Sequence, residues 1–193
     1  MKVIGQLALT VVIALSLGGH AWASSPTEQL RAYTDQVMKA LENPTLTASA
    51  RLEAVRAVAG EAFDVTETAK RALGVHWQQR TSAEQGEFVQ LFQDLLERGY
   101  LSRIGEYGGE QIKYVSEKID GDYATVRALI VTKKGTQIPV ESRLLRKADR
   151  WLIYDVLVEN VSLIASYRSQ FDRVIRTTSY GELVRRLKGA GTS

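Results

Sequence analysis

Two hydrophobic rhythms divide the chain. Up to about residue 100 the apolar positions recur at helical spacing, and beyond it they alternate as in strands. Ser25-Pro26-Thr27-Glu28 is a capping box with proline at the first helical position, and Leu30, Tyr33, Val37 and Leu41 follow as one stripe before Asn43-Pro44 ends the helix. Leu52, Val55 and Val58 predict a second helix closing near Gly60. Asp64 with Glu67 opens a short third one with Gly74 as its C-cap. Thr81 to Glu84 is another capping box, and it starts the strongest amphipathic stretch, carrying Phe88, Leu91, Phe92, Leu95 and Leu96.

The pattern changes around residues 105–109. Residues 111–119, 123–132, 136–146 and 151–158 then read as four strands, separated by Asp120-Gly121, Lys134-Gly135 and the segment 147–150. Connections this short imply an antiparallel meander. Pro139 predicts an edge position or a bulge in the third strand. Ser162 caps a helix bearing Leu163, Tyr167, Phe171, Val174 and Ile175, and Ser179 with Glu182 caps a last one bearing Leu183 and Leu187. Helices, then a run of strands, then helices make an α+β fold.

The first residues have a different character. Lys2, an apolar run over 3–17 and Ala21-Trp22-Ala23 predict a signal peptide removed after residue 23. The expected mature unit is then a single α+β domain over 24–193 with a helical annex. The chain contains no cysteine, so the fold uses no disulfide and carries no lipid-modified N-terminal cysteine. Export without such an anchor points to the periplasm. Residues 24–100 hold 8 basic and 11 acidic side chains, whereas 101–193 hold 16 and 11. A basic second half suits an anionic lipid or an acidic partner, and for an exported protein nucleic acid is not expected.

Catalytic machinery is sparse. His76 is the one histidine outside the expected signal peptide, there is no cysteine, and no G-x-S-x-G elbow or phosphate loop occurs. A zinc site of histidine and cysteine is excluded. The strongest single acid/base candidate is Asp155, inside a strand; its structural alternative is bonding to backbone or pairing with an arginine such as Arg168. The expectation is a protein without catalytic residues, metal or cofactor. Ala124, Val126, Ala128 and Ile130 share one face of the second strand, and Ile138, Val140, Ser142 and Leu144 one face of the third. A sheet so lined packs solidly on a helix or leaves room for a ligand, and patterning does not decide between them.

The stretch WLIYDVLVENVSLIASYRSQF, residues 151–171, resembles the signature of the MlaC family, the toluene-tolerance family of periplasmic phospholipid-binding proteins. Phe63-Asp64, Leu73-Gly74 before Trp77, and the run from Phe88 to Tyr100 are similar too. One departure is Asn160, where the family has glycine; asparagine tolerates the left-handed conformation next best. The resemblance implies a curved four-stranded antiparallel sheet, similar to NTF2-like cones, closed by helices into an apolar pocket. It also implies a carrier of glycerophospholipid as cargo, working between an inner-membrane ABC transporter complex and an outer-membrane lipoprotein–porin complex, and expected as a monomer. The competing readings are an envelope protein-binding adaptor without lipid and a lipid hydrolase using Asp155. From the faces of the expected elements, pocket lining is assigned to Phe88, Phe92, Leu95, Tyr100, Val126, Ala128, Ile130, Val140, Leu144, Tyr154, Val161, Tyr167 and Phe171. Arg143, Arg146 and Arg168 are assigned to a headgroup or a docking surface.

Overall fold

The computed structural model describes residues 24–100 and 108–189. The expected signal peptide and most of the 105–109 transition lie outside the described residues. Four helices come first: α1 (Pro26–Glu42), α2 (Ala48–Ala62), α3 (Val65–Leu73) and, after a 3₁₀ segment at Gly74–Gln79, α4 (Ser82–Tyr100). Five strands follow, β1 (Gln111–Asp120), β2 (Tyr123–Val131), β3 (Gln137–Lys147), β4 (Arg150–Val158) and β5 (Val161–Ser162), then α5 (Leu163–Thr177) and α6 (Tyr180–Gly189). The strands form one antiparallel sheet in sequence order.

Capping chemistry starts the helices where their sequences place it. Ser25 Oγ accepts from Glu28 N while Glu28 returns a bond to Ser25 N. Thr81 and Glu84 repeat that exchange. Asp64 accepts from Glu67 N and Ser162 Oγ from Ala165 N. Gly60 does not close α2, which runs on to Ala62. An exposed glycine costs a helix only about 1 kcal/mol, and the good helix formers Ala59 and Glu61 flank this one.

The sheet is curved, and bulges between Tyr114 and Ser116 and between Arg143 and Leu144 bend it locally. Pro139 is not in an edge strand and marks no bulge, since β3 lies between β2 and β4. The last pair joining β3 to β4 is Val140 with Val158, and beyond it the Pro139 carbonyl accepts from Glu159 N. A strand residue aims its N–H and C=O toward the same neighbour, so the missing proline N–H falls where that ladder has already ended. The fifth strand was not expected, being two residues long and lacking any alternation of its own.

Two apolar clusters hold the fold. One joins α1 and α2 to the inner face of the sheet through Leu30, Tyr33, Ala62, Ala124, Val126, Leu144, Trp151 and Ile153. The other is purely helical, built by α3 to α6 around Leu73, Trp77, Phe88, Phe92, Phe171 and Leu187. They meet along β4, whose outer edge takes a parallel bridge from Phe63 and whose Ile153 carbonyl accepts from Asp64 N.

Candidate functional site

The inner face of the sheet is sealed at one end and open at the other. Cross-strand register puts Ala124 opposite Leu144, Val126 opposite Ser142, Ala128 opposite Val140 and Ile130 opposite Ile138. Toward α1, Val126 is 1% exposed and Leu144 0%, pressed against Leu30 and Tyr33. Toward the other end the same face loosens: Ile130, Ile138 and Val140 are only half-buried, and Val158, opposite Val140, is 47% exposed. The apolar pattern thus continues beyond the helices that cover it. A partly uncovered apolar floor of this kind is the candidate contact surface for a ligand or a partner.

The residues assigned from the sequence fall into separate groups. Phe88, Phe92, Tyr167 and Phe171 come together in the helical layer, with Phe88 and Phe92 stacked at 5.9 Å and the rings of Phe171 and Tyr167 edge-on to Phe92 at 5.6 and 5.2 Å. Leu95 packs half-buried against the same cluster. Burial pushes the Tyr167 phenol up to about 12, helped by the hydrogen-bonded Tyr100 hydroxyl beside it. Val126 and Leu144 belong to the sheet core and Ala128 is also buried, whereas Ile130 and Val140 occupy the looser end. Tyr154 stands apart, edge-on to Tyr123 and beneath the Arg71 guanidinium at 4.0 Å. Arg71 was not singled out from the sequence, because its alignment over a strand tyrosine depends on tertiary packing. Val161 is 64% exposed beside a turn in which Glu159 (φ 51°) and Asn160 (φ 67°) are both left-handed. That is the conformation asparagine admits next best after glycine.

Asp155 has a structural role. It is 5% exposed, accepts from Ser162 Oγ at 2.7 Å and from Ile164 N at 3.2 Å, and faces Arg143 NH1 at 3.6 Å. Its arginine is therefore Arg143 and not Arg168, because the bulge at Tyr154 of β4 shifts the register and leaves Arg143 directly opposite it. Arg168 instead lays its aliphatic stem across Gly74, its Cδ 3.1 Å from where a Cβ there would stand. Arg146 is held by Asp122 at 2.7 Å and lies over the Trp151 ring. His76 Nε2 sits 2.9 Å from Asp172 Oδ1, which Arg176 Nε reaches at 2.8 Å, so this pair ties the 3₁₀ segment to α5. Among the described residues no three His, Cys, Asp or Glu side chains gather as a metal site, and no helix is long and apolar enough to cross a membrane.

The opposite face of the sheet is polar over the middle of β1, β2 and β3, although Leu157 of β4 is buried on that side. A groove of about 230 Å³ runs over β1, β2 and β3, lined by Ser116, Lys118, Thr125, Arg127, Glu141 and Arg143. The alternation of β1 to β3 contained this row, although the Tyr114/Ser116 bulge hid which residues of β1 join it.

Comparison with known proteins places this architecture. A phospholipid-binding protein from Ralstonia solanacearum, solved in complex with a phospholipid, superposes with a TM-score of 0.77 at 21% identity, over 86% of this chain and 96% of that one. The α+β fold is therefore shared with it. A structure described as a putative NTF2-like transpeptidase from Campylobacter jejuni matches 67% of this chain and 97% of that one, at 16% identity and a TM-score of 0.40. The family model described as MlaC protein matches residues 13–189. With residues 13–189 matched, nearly the whole sequence, the chain belongs to the MlaC family.

Proposed function

We propose that this protein binds a glycerophospholipid and carries it through the periplasm, between an outer-membrane lipoprotein–porin complex and an inner-membrane ABC transporter. The observation that carries the reading is the loosened apolar floor at Ile130, Ile138, Val140 and Val158, which extends the packed core without being sealed by it. Family membership and the shared fold of a phospholipid-bound protein support it.

Acyl chains lie along this floor, and the headgroup stays at the opening. Burying a methylene is worth about 0.8 kcal/mol, so two chains of roughly 30 methylenes gain on the order of 25 kcal/mol over water. In a bilayer those chains are already dry. The floor has only to match the membrane, and the carrier exchanges cargo with a partner instead of spending energy itself. The role is binding and transport and needs no catalytic group, Asp155 being committed to holding the start of α5. Residues 1–23 direct export and are removed.

Organic extraction of protein purified from the periplasm, followed by mass spectrometry, tests this. About one phospholipid per chain is expected, with intact ester bonds. Protein that yields no lipid, and that takes none from vesicles after delipidation, overturns the proposal. Released fatty acid instead supports hydrolysis.

A further inference from the structure

The polar groove on the outer face has no part in the proposed carriage, because it lies across the sheet from the apolar floor. Cross-strand register builds it in two rows. Lys118, Thr125 and Arg143 are consecutive partners across β1, β2 and β3, and Ser116, Arg127 and Glu141 form the row beside them. Neighbours within a row stand about 5 Å apart and the rows about 7 Å apart, so three cationic side chains rise around two short hydroxyl side chains. The hollow over Ser116 and Thr125, about 230 Å³ in volume, is several times the roughly 30 Å³ share of one water.

The one carboxylate in the lining does not cancel this charge. Glu141 Oε2 takes Arg127 Nε at 2.9 Å and its Oε1 takes Arg143 Nε at 3.1 Å. Burial opposes ionisation of Glu141, but these two bonds outweigh it and hold the carboxyl below its usual range. Both oxygens are thus occupied, each accepting from a guanidinium Nε, and Glu141 takes no bond from the terminal amino groups of Arg127. The Arg127 side chain is 65% exposed, and Lys118 has no ion-pair partner among the described residues. Even with Asp155 counted behind Arg143, the groove keeps one net positive charge. Fixed guanidinium groups, a mobile ammonium and two hydroxyl donors around a small hollow match a tetrahedral oxyanion, which accepts several hydrogen bonds at once.

We propose that this groove is a phosphate-binding site, separate from the apolar floor, taking either a free phosphate ester or the phosphate of a membrane lipid headgroup. The inference stands whether or not the protein carries lipid.

The test is an NMR titration of the full chain with inorganic phosphate and with glycerol 3-phosphate, against sodium chloride at matched ionic strength. Saturable shifts are expected at the amides of Ser116, Thr125 and Arg127, with millimolar midpoints. Arg127→Gln and Lys118→Gln, both at exposed positions, should each weaken binding roughly fivefold while leaving the rest of the spectrum in place. Co-sedimentation with phosphatidylglycerol vesicles and with phosphatidylcholine vesicles separates the sources. Vesicle binding lost in Arg127→Gln identifies a headgroup, and saturable binding of soluble phosphate without vesicle binding identifies a free ester. If neither phosphate nor vesicles act beyond the chloride control, or if both variants bind like the parent, the site does not exist.

Discussion

Glutamate placed at two positions of the same sheet face should separate packing from binding. Val126 is 1% exposed, surrounded by Leu30, Tyr33 and Leu144, whereas Val140 is half-buried at the looser end opposite Val158. Burying a valine is worth about 1.5–3 kcal/mol, so Val126→Glu loses most of that and also strands an unpaired carboxylate, adding several kcal/mol. The sum, roughly 5 kcal/mol or more, reaches the lower end of a typical domain's stability of about 5–15 kcal/mol. Val126→Glu should therefore express poorly or melt far below the parent. At Val140 only about half the transfer energy is lost and the charge keeps access to water, so the cost is about 1–2 kcal/mol. At 2–4 °C per kcal/mol for a domain of this size, the melting point should fall by less than about 8 °C. If acyl chains lie on this floor, that modest change nonetheless puts a charge against hydrocarbon. The measurements are a thermal melt by circular dichroism and the phospholipid-to-protein ratio after organic extraction. Val140→Glu should stay folded and come out nearly lipid-free. A folded Val140→Glu carrying the parental amount of phospholipid would refute the placement of the chains on this face.

The remaining expectations concern the framework around that floor. Asp155→Asn loses the charge facing Arg143 and weakens the acceptor of Ser162 and Ile164; a denaturant melt should show about 2–3 kcal/mol lost, with lipid content per folded molecule unchanged. Gly74 lies at φ 60°, ψ −130° with the Arg168 stem against it, so Gly74→Ala should cost about 1–3 kcal/mol in the same assay. The Arg185 and Arg186 side chains hydrogen-bond Glu182 and lower its carboxyl from 4.5 to about 2. A depressed carboxylate stabilises the folded state fully above its unfolded value, so the help Glu182 gives α6 should fade as pH falls from about 4.5 through about 2. Its NMR titration midpoint should move back up in 1 M salt. Ultraviolet titration should find Tyr167 ionising late, near pH 12, and Tyr167→Phe should remove one tyrosine from the late part of the curve, to which the raised Tyr114, Tyr154 and Tyr180 also contribute.

Much of this architecture could be read directly because the deciding interactions are local. A capping box needs four consecutive residues, and Ser25 to Glu28 and Thr81 to Glu84 contain all of theirs. Strand alternation likewise identified which side chains of β2 and β3 share the inner face. What stayed hidden depends on register. The bulge at Tyr154 leaves Arg143, and not Arg168, opposite Asp155, and nothing in a single strand's sequence announces an inserted residue. The two-residue β5 offers no periodicity at all. The candidate site divided for a related reason. Phe88, Phe92, Tyr167 and Phe171 show the same apolar face whether they meet a ligand or each other, and their rings meet, stacked, tilted or edge-on, at 5.2–5.9 Å in the helical layer. Whether an apolar side chain ends sealed or uncovered, as Leu144 and Val158 do, depends on what else the chain lays over it.

The two apolar clusters share no buried residue, and β4 packs against helices of both. Hydrocarbon arriving on the sheet's open end adds contacts to one of them and leaves the other as it was. Amide protons of β2 and β3 should then exchange more slowly in the loaded molecule, while those of α4 and α6 keep their unloaded rates. Cargo would register as a stiffening of half the molecule, and a single melting temperature would average that asymmetry away.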